Sequence, residues 1–214
     1  MADFHRTFIN DTSFIRGAAR ILVAPYVQAR PLMNSDVIDL GTTSPVVAPT
    51  YAAKTGWVDL GATKTGIQIT INNAEEAFDV DQILGDIASQ PTSWECSVGT
   101  QLAEMTLERL QIAWEGSAIT VDSTPASGAE KEIGFGQPTS YTQRRLAVMF
   151  QRPNGKVRGY LFHKVQRMPQ ESSVTHSKAG EQITIPVRFK CLADSDAGIE
   201  VTKRFFIIRD QATV

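Results

Sequence analysis

Residues 66–72 read Gly-Ile-Gln-Ile-Thr-Ile-Asn, with Ile67, Ile69 and Ile71 on one side of the chain and Gln68 and Thr70 on the other. That two-residue period belongs to a half-buried strand, and no helix gathers the three isoleucines on one face. The period returns at 75–81, where Phe78 and Val80 share a face with Glu76 while Glu75, Asp79 and Asp81 share the opposite one. Farther on, Arg152-Pro153-Asn154-Gly155 separates strand-like runs at 144–151 and 156–167. Asn-Gly between such runs is the strongest short-range hairpin signal. Shorter strands are expected at 18–24 (stopped by Pro25), at 57–61 and around Trp94 and Cys96 at 92–98. The runs 181–193 and 199–210 predict a second hairpin across the acidic turn 194–198.

One helix breaks this pattern. In 101–115, Leu102, Met105 (or Thr106), Arg109, Leu110, Ala113 and Trp114 recur at three- and four-residue spacing. Thr100 is its expected N-cap and Gly116 its left-handed stop. One helix among many strands packs most simply over a face or end of a sheet. Two stretches lack a period. Residues 117–141 are rich in Ser, Thr, Gly and Pro and read as loop. Residues 25–56 carry Pro25, Pro31, Pro45 and Pro49 and hold no hydrophobic pattern. Long patternless segments inside a domain are functional or disordered, which leaves a floppy insertion or an arm that orders against a neighbouring subunit.

The chain has 214 residues, 42% hydrophobic and 21% charged, with a net charge of −2. The length supports a real core without staples, and the charge argues against a dedicated nucleic-acid binder. Cys96 and Cys191 lie in separate apolar runs with no CxxC spacing, which predicts buried free thiols in a reducing compartment. The polar residues 1–10 predict no signal peptide, and no apolar run reaches membrane-helix length. No nucleophile elbow, P-loop or HExxH motif occurs. Gly134-Phe135-Gly136 lacks the third glycine of a dinucleotide fingerprint. His5, His163 and His176 are not at ligand spacing, and His163 reads as a packed strand histidine. Asp194, Asp196 and Gly198 miss the spacing of a calcium loop and read as a polar turn. These absences predict a protein that is not an enzyme and uses no metal or cofactor.

Charge order carries more information than charge sum. Glu75, Glu76, Asp79, Asp81, Asp86, Glu95, Glu104 and Glu108 fall between 65 and 108 with no Lys or Arg among them. Arg144, Arg145, Arg152, Lys156, Arg158, Lys164 and Arg167 fall between 133 and 170 with no Asp or Glu among them. Either the blocks pair across strands within one subunit, or they face each other between subunits. In the second case, complementary patches at different places on one molecule make rings or filaments. Nucleic-acid binding by the basic hairpin, with Tyr160 and Phe162 stacking, is a third reading, but their alternation with Val157, Leu161 and Val165 fits sheet packing better.

The order of elements over 57–116 resembles the major tail-tube protein of long, non-contractile-tailed phages, and more distantly the Hcp-type secretion-tube proteins. The residues that carry the likeness are Trp57-Val58-Asp59-Leu60-Gly61-Ala62-Thr63, the alternating strand 66–72, the acidic strand 75–82 and the Gly85-Asp86-Ile87 turn. The Trp94 strand and Leu102-Ala103-Glu104-Met105-Thr106-Leu107-Glu108 complete it. The resemblance implies a mainly β fold: a β-sandwich or curled antiparallel sheet with one flanking helix, in a single domain over 1–214 with an N-terminal arm at 1–17 and an extended loop at 25–56. It implies rings, six subunits to a ring, stacked into a tube in the virion tail after synthesis in the host cytoplasm. The implied partners are further copies of the chain, a tape-measure protein, tail-terminator or tail-tip proteins, and DNA in transit, with no membrane insertion. Glu75, Asp79 and Asp81 are the expected lumen-facing residues, because basic side chains would hold phosphates. Pro45, Pro49, Tyr51 and Trp57 of the loop and Arg144, Arg145, Lys156 and Arg158 of the basic hairpin are the expected inter-subunit contacts. The competing expectation is a monomeric β-sandwich that recognises carbohydrate or protein through its loops.

Overall fold

Two apolar runs, Ile21-Leu22-Val23-Ala24 and Leu146-Ala147-Val148-Met149, do not alternate, and the structure shows why: their strands are buried on both faces. A computed structural model of the chain describes residues 19–27, 32–43, 46–47, 50–80, 83–123, 128–137, 139–152, 155–168, 183–196 and 198–211. In chain order these form β1 (Arg20–Pro25), a one-turn helix α1 (Asn34–Val37), β2 (Thr42–Thr43), β3 (Val46–Val47) and β4 (Val58–Asp59). There follow β5 (Thr63–Val80), β6 (Ile83–Leu102), helix α2 (Leu107–Trp114), β7 (Thr120–Asp122) and β8 (Glu130–Glu132). The chain ends with β9 (Gln143–Gln151), β10 (Val157–Arg167), β11 (Ile185–Cys191), a 3-10 turn (Val201–Lys203) and β12 (Phe206–Asp210).

The fold is mainly β, as the alternation required. One eight-stranded antiparallel sheet runs β4-β1-β9-β10-β11-β6-β5, with β12 also paired to β10. The predicted second hairpin does not form. β11 and β12 do not pair with one another; both use the same edge of β10. β12 faces Arg158–Phe162, β11 faces Val165–Arg167, and a bulge after Phe162 separates the two stretches. A bulge bends a strand and raises its twist, so one long strand serves two partners that diverge. The Asn-Gly hairpin joins β9 to β10 as expected, with Gly155 at φ 76°.

Two clusters stabilise the sheet. The first gathers Ile21, Val23, Leu146, Val148 and Phe162 from one half of the sheet with Val98, Leu102, Ile185, Val187 and Phe189 from the other. The sheet is therefore curled around this cluster. Ile112 and Ala113 of α2 close one side. On the opposite face of β1, β9 and β10, Leu22, Ala147, Met149, Val157 and Leu161 form the second cluster with Leu32, Val37 and Ile38.

Those last three residues belong to the segment expected to be a patternless arm. Its described parts fold back as a flap on the chain's own sheet. Asp39 N–H donates to Ala52 O, Tyr51 N–H to Asp39 O, and β2 pairs with β3. The flap comes so close that Gly159 is required beneath it, where a Cβ would collide with the Asn34 side chain. Asn34 is held there by donating from Nδ2 to Arg209 O at 3.1 Å.

The helix also departs from expectation. Gln101 and Leu102 end β6, and α2 starts only at Leu107, with Thr106 Oγ1 rather than Thr100 accepting from Arg109 N–H. Glu115 itself takes the left-handed position, at φ 54°. Gly116 is needed for space: a Cβ there would stand 2.6 Å from Ile133 Cδ1.

Candidate self-assembly surface

β5 and β6 are far longer than the sheet they belong to, at 18 and 20 residues. β11 pairs with β6 only from Ser97 to Leu102. Beyond that point, among the described residues, β5 and β6 pair only with each other, from Asn72↔Glu95 out to Val80↔Ile83. At about 3.3 Å per residue, this two-stranded ribbon extends roughly 30 Å from the curled sheet. Residues 71–76 and 89–93 are all exposed. The apolar face of Ile67 and Ile69 runs out onto it through Ile71, which is 47% exposed.

The ribbon's two edges differ. β5 is the last strand of the sheet, and among the described residues no strand pairs with its outer backbone edge. No proline interrupts it. β6 contains Pro91, opposite Glu75 beside an extra residue, Thr92, that breaks the register. Proline belongs at strand edges and bulges, where its missing N–H breaks no ladder. Pro91 is accommodated because, among the described residues, β6 has no neighbour on that side there.

Among the expected lumen-facing residues, Glu75 is exposed on the ribbon, next to the bulge. Asp79 lies on the backbone of β5 but its side chain is outside the described residues, as is the whole of Asp81. Of the expected inter-subunit residues, Pro45 and Pro49 also lie outside the described residues. The others have roles inside the chain. Tyr51, at φ 54°, donates its hydroxyl to Gly155 O at 3.2 Å, and Trp57 packs on the second cluster. Arg144 meets Glu115 at 3.7 Å, Arg145 donates to Val27 O, and Lys156 is half-buried. Arg158 grips Asp210 with two bonds of 2.5 and 2.7 Å. The Arg158 hydrogen bond holds the Asp210 carboxyl below the usual range.

The charge blocks do not cancel through these contacts. Arg144, Arg152 and Arg158 pair with Glu115 and Asp210, outside the acidic run. Glu95, Glu104 and Glu108 pair with Lys190, Arg109 and Lys131, outside the basic run.

His163 sits in the bulge of β10, 2% exposed, with Nε2 unpartnered. Burial pushes its pKa down, against the attraction of Asp194. Asp194 is also buried, accepting from Tyr26 Oη at 3.0 Å and from Asp196 N–H at 3.1 Å. The sequence marked 194–198 only as a polar turn. An imidazole with a depressed folded pKa binds fewer protons than the unfolded chain between the two pKa values, so stability falls as pH drops below about 6.5. Urea unfolding at pH 7 and pH 5.5 should show this loss, and His163→Gln should reduce it.

Among the described residues no group of three or more His, Cys, Asp or Glu could hold a metal ion. The groove over Gly66 and Gly99, bordered by Gln68, Gln101 and Arg188, is lined by no carboxylate, histidine or cysteine. Within the described residues no helix is long and apolar enough to cross a membrane. No protein-family model matches the chain, and no curated protein matches it either.

Proposed function

We propose that this chain is a structural subunit of a phage tail tube, assembling with copies of itself into rings that stack into a conduit for DNA. The observation that carries this reading is the β5–β6 ribbon. An isolated two-stranded ribbon is marginal in water, and a long open edge invites pairing with another chain. A second copy supplies what the ribbon lacks: a strand for the outer edge of β5 and cover for Ile71. Repeated around a closed ring, that contact leaves no open edge.

The remaining features fit. The ribbon carries Glu75 and Glu76 without basic residues, which suits a wall past which DNA slides, since each phosphate contact to Lys or Arg strengthens retention. The basic β9–β10 hairpin lies elsewhere on the subunit, and complementary charge between copies would set register more than affinity. The tape-measure, terminator and tail-tip partners, and the location in a virion tail, follow from the same reading.

Negative-stain electron microscopy with light scattering on concentrated protein, alone and seeded with a tail-tip initiator complex, tests it. Rings or hollow tubes are expected. A sample that remains monomeric in both conditions overturns the reading in favour of a loop-based binding module.

A further inference from the structure

The fold brings the chain's two cysteines together. In the β6–β11 ladder Phe189 faces Val98 and Lys190 faces Ser97, so the next step sets Cys191 across from Cys96. Both are free thiols inside the first core cluster, 1% and 2% exposed. The two hydrogen-bond to each other. Opposed residues of an antiparallel pair have Cα atoms about 4.5–5.5 Å apart, within the roughly 4.4–6.8 Å that a disulfide spans. The location is specific as well. Ser97 is the last β6 residue paired with β11, and beyond it, among the described residues, β6 continues with β5 only. The thiols stand at the root of the ribbon.

We infer that Cys96 and Cys191 are a redox-sensitive staple: exchange with a small-molecule disulfide such as oxidised glutathione joins them across the strands and fixes the ribbon root to β11. One cysteine loses its proton, and its thiolate attacks a glutathione sulfur and expels the first glutathione thiolate. The second cysteine, deprotonated in turn, attacks the protein sulfur of that mixed disulfide and expels the other glutathione thiolate. Two electrons pass from the cysteine pair to the oxidant, which leaves as two thiols carrying the two protons. The hydrogen bond to Cys96, together with burial, pushes the Cys191 thiol up. Exchange is therefore slow and proceeds when the root opens locally. In a reducing compartment the pair stays free. In an oxidising medium it closes. This inference holds for the isolated subunit and does not depend on whether the chain builds a tube.

The test oxidises purified, reduced protein with oxidised glutathione, then unfolds it in acid, alkylates it and measures its intact mass. The expected product has lost two hydrogens, takes up no alkylating agent and yields a linked peptide pair containing Cys96 and Cys191. Its Tm rises by roughly 10 °C, because the bond closes a long loop, and dithiothreitol reverses the gain. Cys96→Ala and Cys191→Ala should each show no such gain when treated in the same way. Two alkylated thiols after the exposure, two separate glutathione adducts, or disulfides only between chains would each overturn the inference. These outcomes are read on wild-type protein, so a poorly folding variant cannot hide them.

Discussion

If the proposed assembly runs through the ribbon, replacing residues 74–93 with an Asn-Gly turn should yield a folded monomer that does not self-associate. Asn73 and Trp94 are register partners, so a two-residue turn between them closes the shortened hairpin with the geometry such turns prefer. Among the residues of the excised stretch whose side chains are described, 74–76 and 89–93, none belongs to either core cluster. Trp94, which packs on Phe205 with ring centroids 4.1 Å apart, is retained. The cost to the monomer is therefore small: Tm should fall by no more than a few degrees and the β-sheet circular dichroism should persist. In the proposed assembly the contact is the removed ribbon, so light scattering should report monomer at every concentration, with no rings or tubes in the microscope. A shortened chain that still builds tubes would take the ribbon out of the assembly contact.

Arg144→Ala should destabilise the monomer by about 3 kcal/mol, because it strands a buried charge. The Glu115 side chain is 4% exposed and that of Arg144 16%. The Glu115 backbone is fixed as the left-handed cap of α2, with its N–H tied to Gln111 O. Losing one partner of such a pair leaves the other desolvated without compensation. Glu115→Gln in the Arg144→Ala background should recover most of the loss, because the charge goes with the partner. Urea unfolding of the ribbon-excised monomer measures both variants free of assembly. The result separates two roles for Arg144: an assembly contact would leave monomer stability unchanged, whereas the Glu115 pair predicts a lower midpoint at constant slope.

The comparison of sequence with structure follows the same physics. Ile67, Ile69 and Ile71 announced a strand by their alternation: Ile67 and Ile69 pack half-buried on the first cluster, and Ile71 continues the same face onto the exposed ribbon. Asn154-Gly155 announced a hairpin because its constraint is local. The pairing of β11 and β12 was not legible. Each run pairs at long range with a different stretch of β10, and the bulge that separates them leaves no mark a short window detects. The α2 start was misplaced because Leu102 fits the helical period while it ends β6 and packs in the first cluster. Leu32, Val37 and Ile38 were lost in a proline-rich background, so the flap over the sheet read as a floppy insertion or as an arm for a neighbouring subunit.

The candidate surface was half legible. The sequence marked 66–72, 75–81 and 92–98 as separate strands and read Gly85-Asp86-Ile87 as a turn. It gave no sign that they join into two strands outrunning their neighbours, a relation that depends on where β11 stops. Pro91 was the available signal: a proline inside a strand marks a stretch with a free side. The charge blocks were visible as composition, but the destinations of Arg144 and Arg158 were not, because Glu115 and Asp210 lie outside the acidic run.

Hydrogen exchange across 71–93, read by mass spectrometry on monomer and assembled protein, tests the pairing role of the ribbon most directly. In the monomer no third strand pairs with the ribbon among the described residues, so its amides should exchange quickly, while peptides from β9 and β10 stay protected. In the assembly the 71–80 peptides should become protected by a large factor, as the outer edge of β5 gains a partner strand. Equal exchange of these peptides in both states would contradict the account.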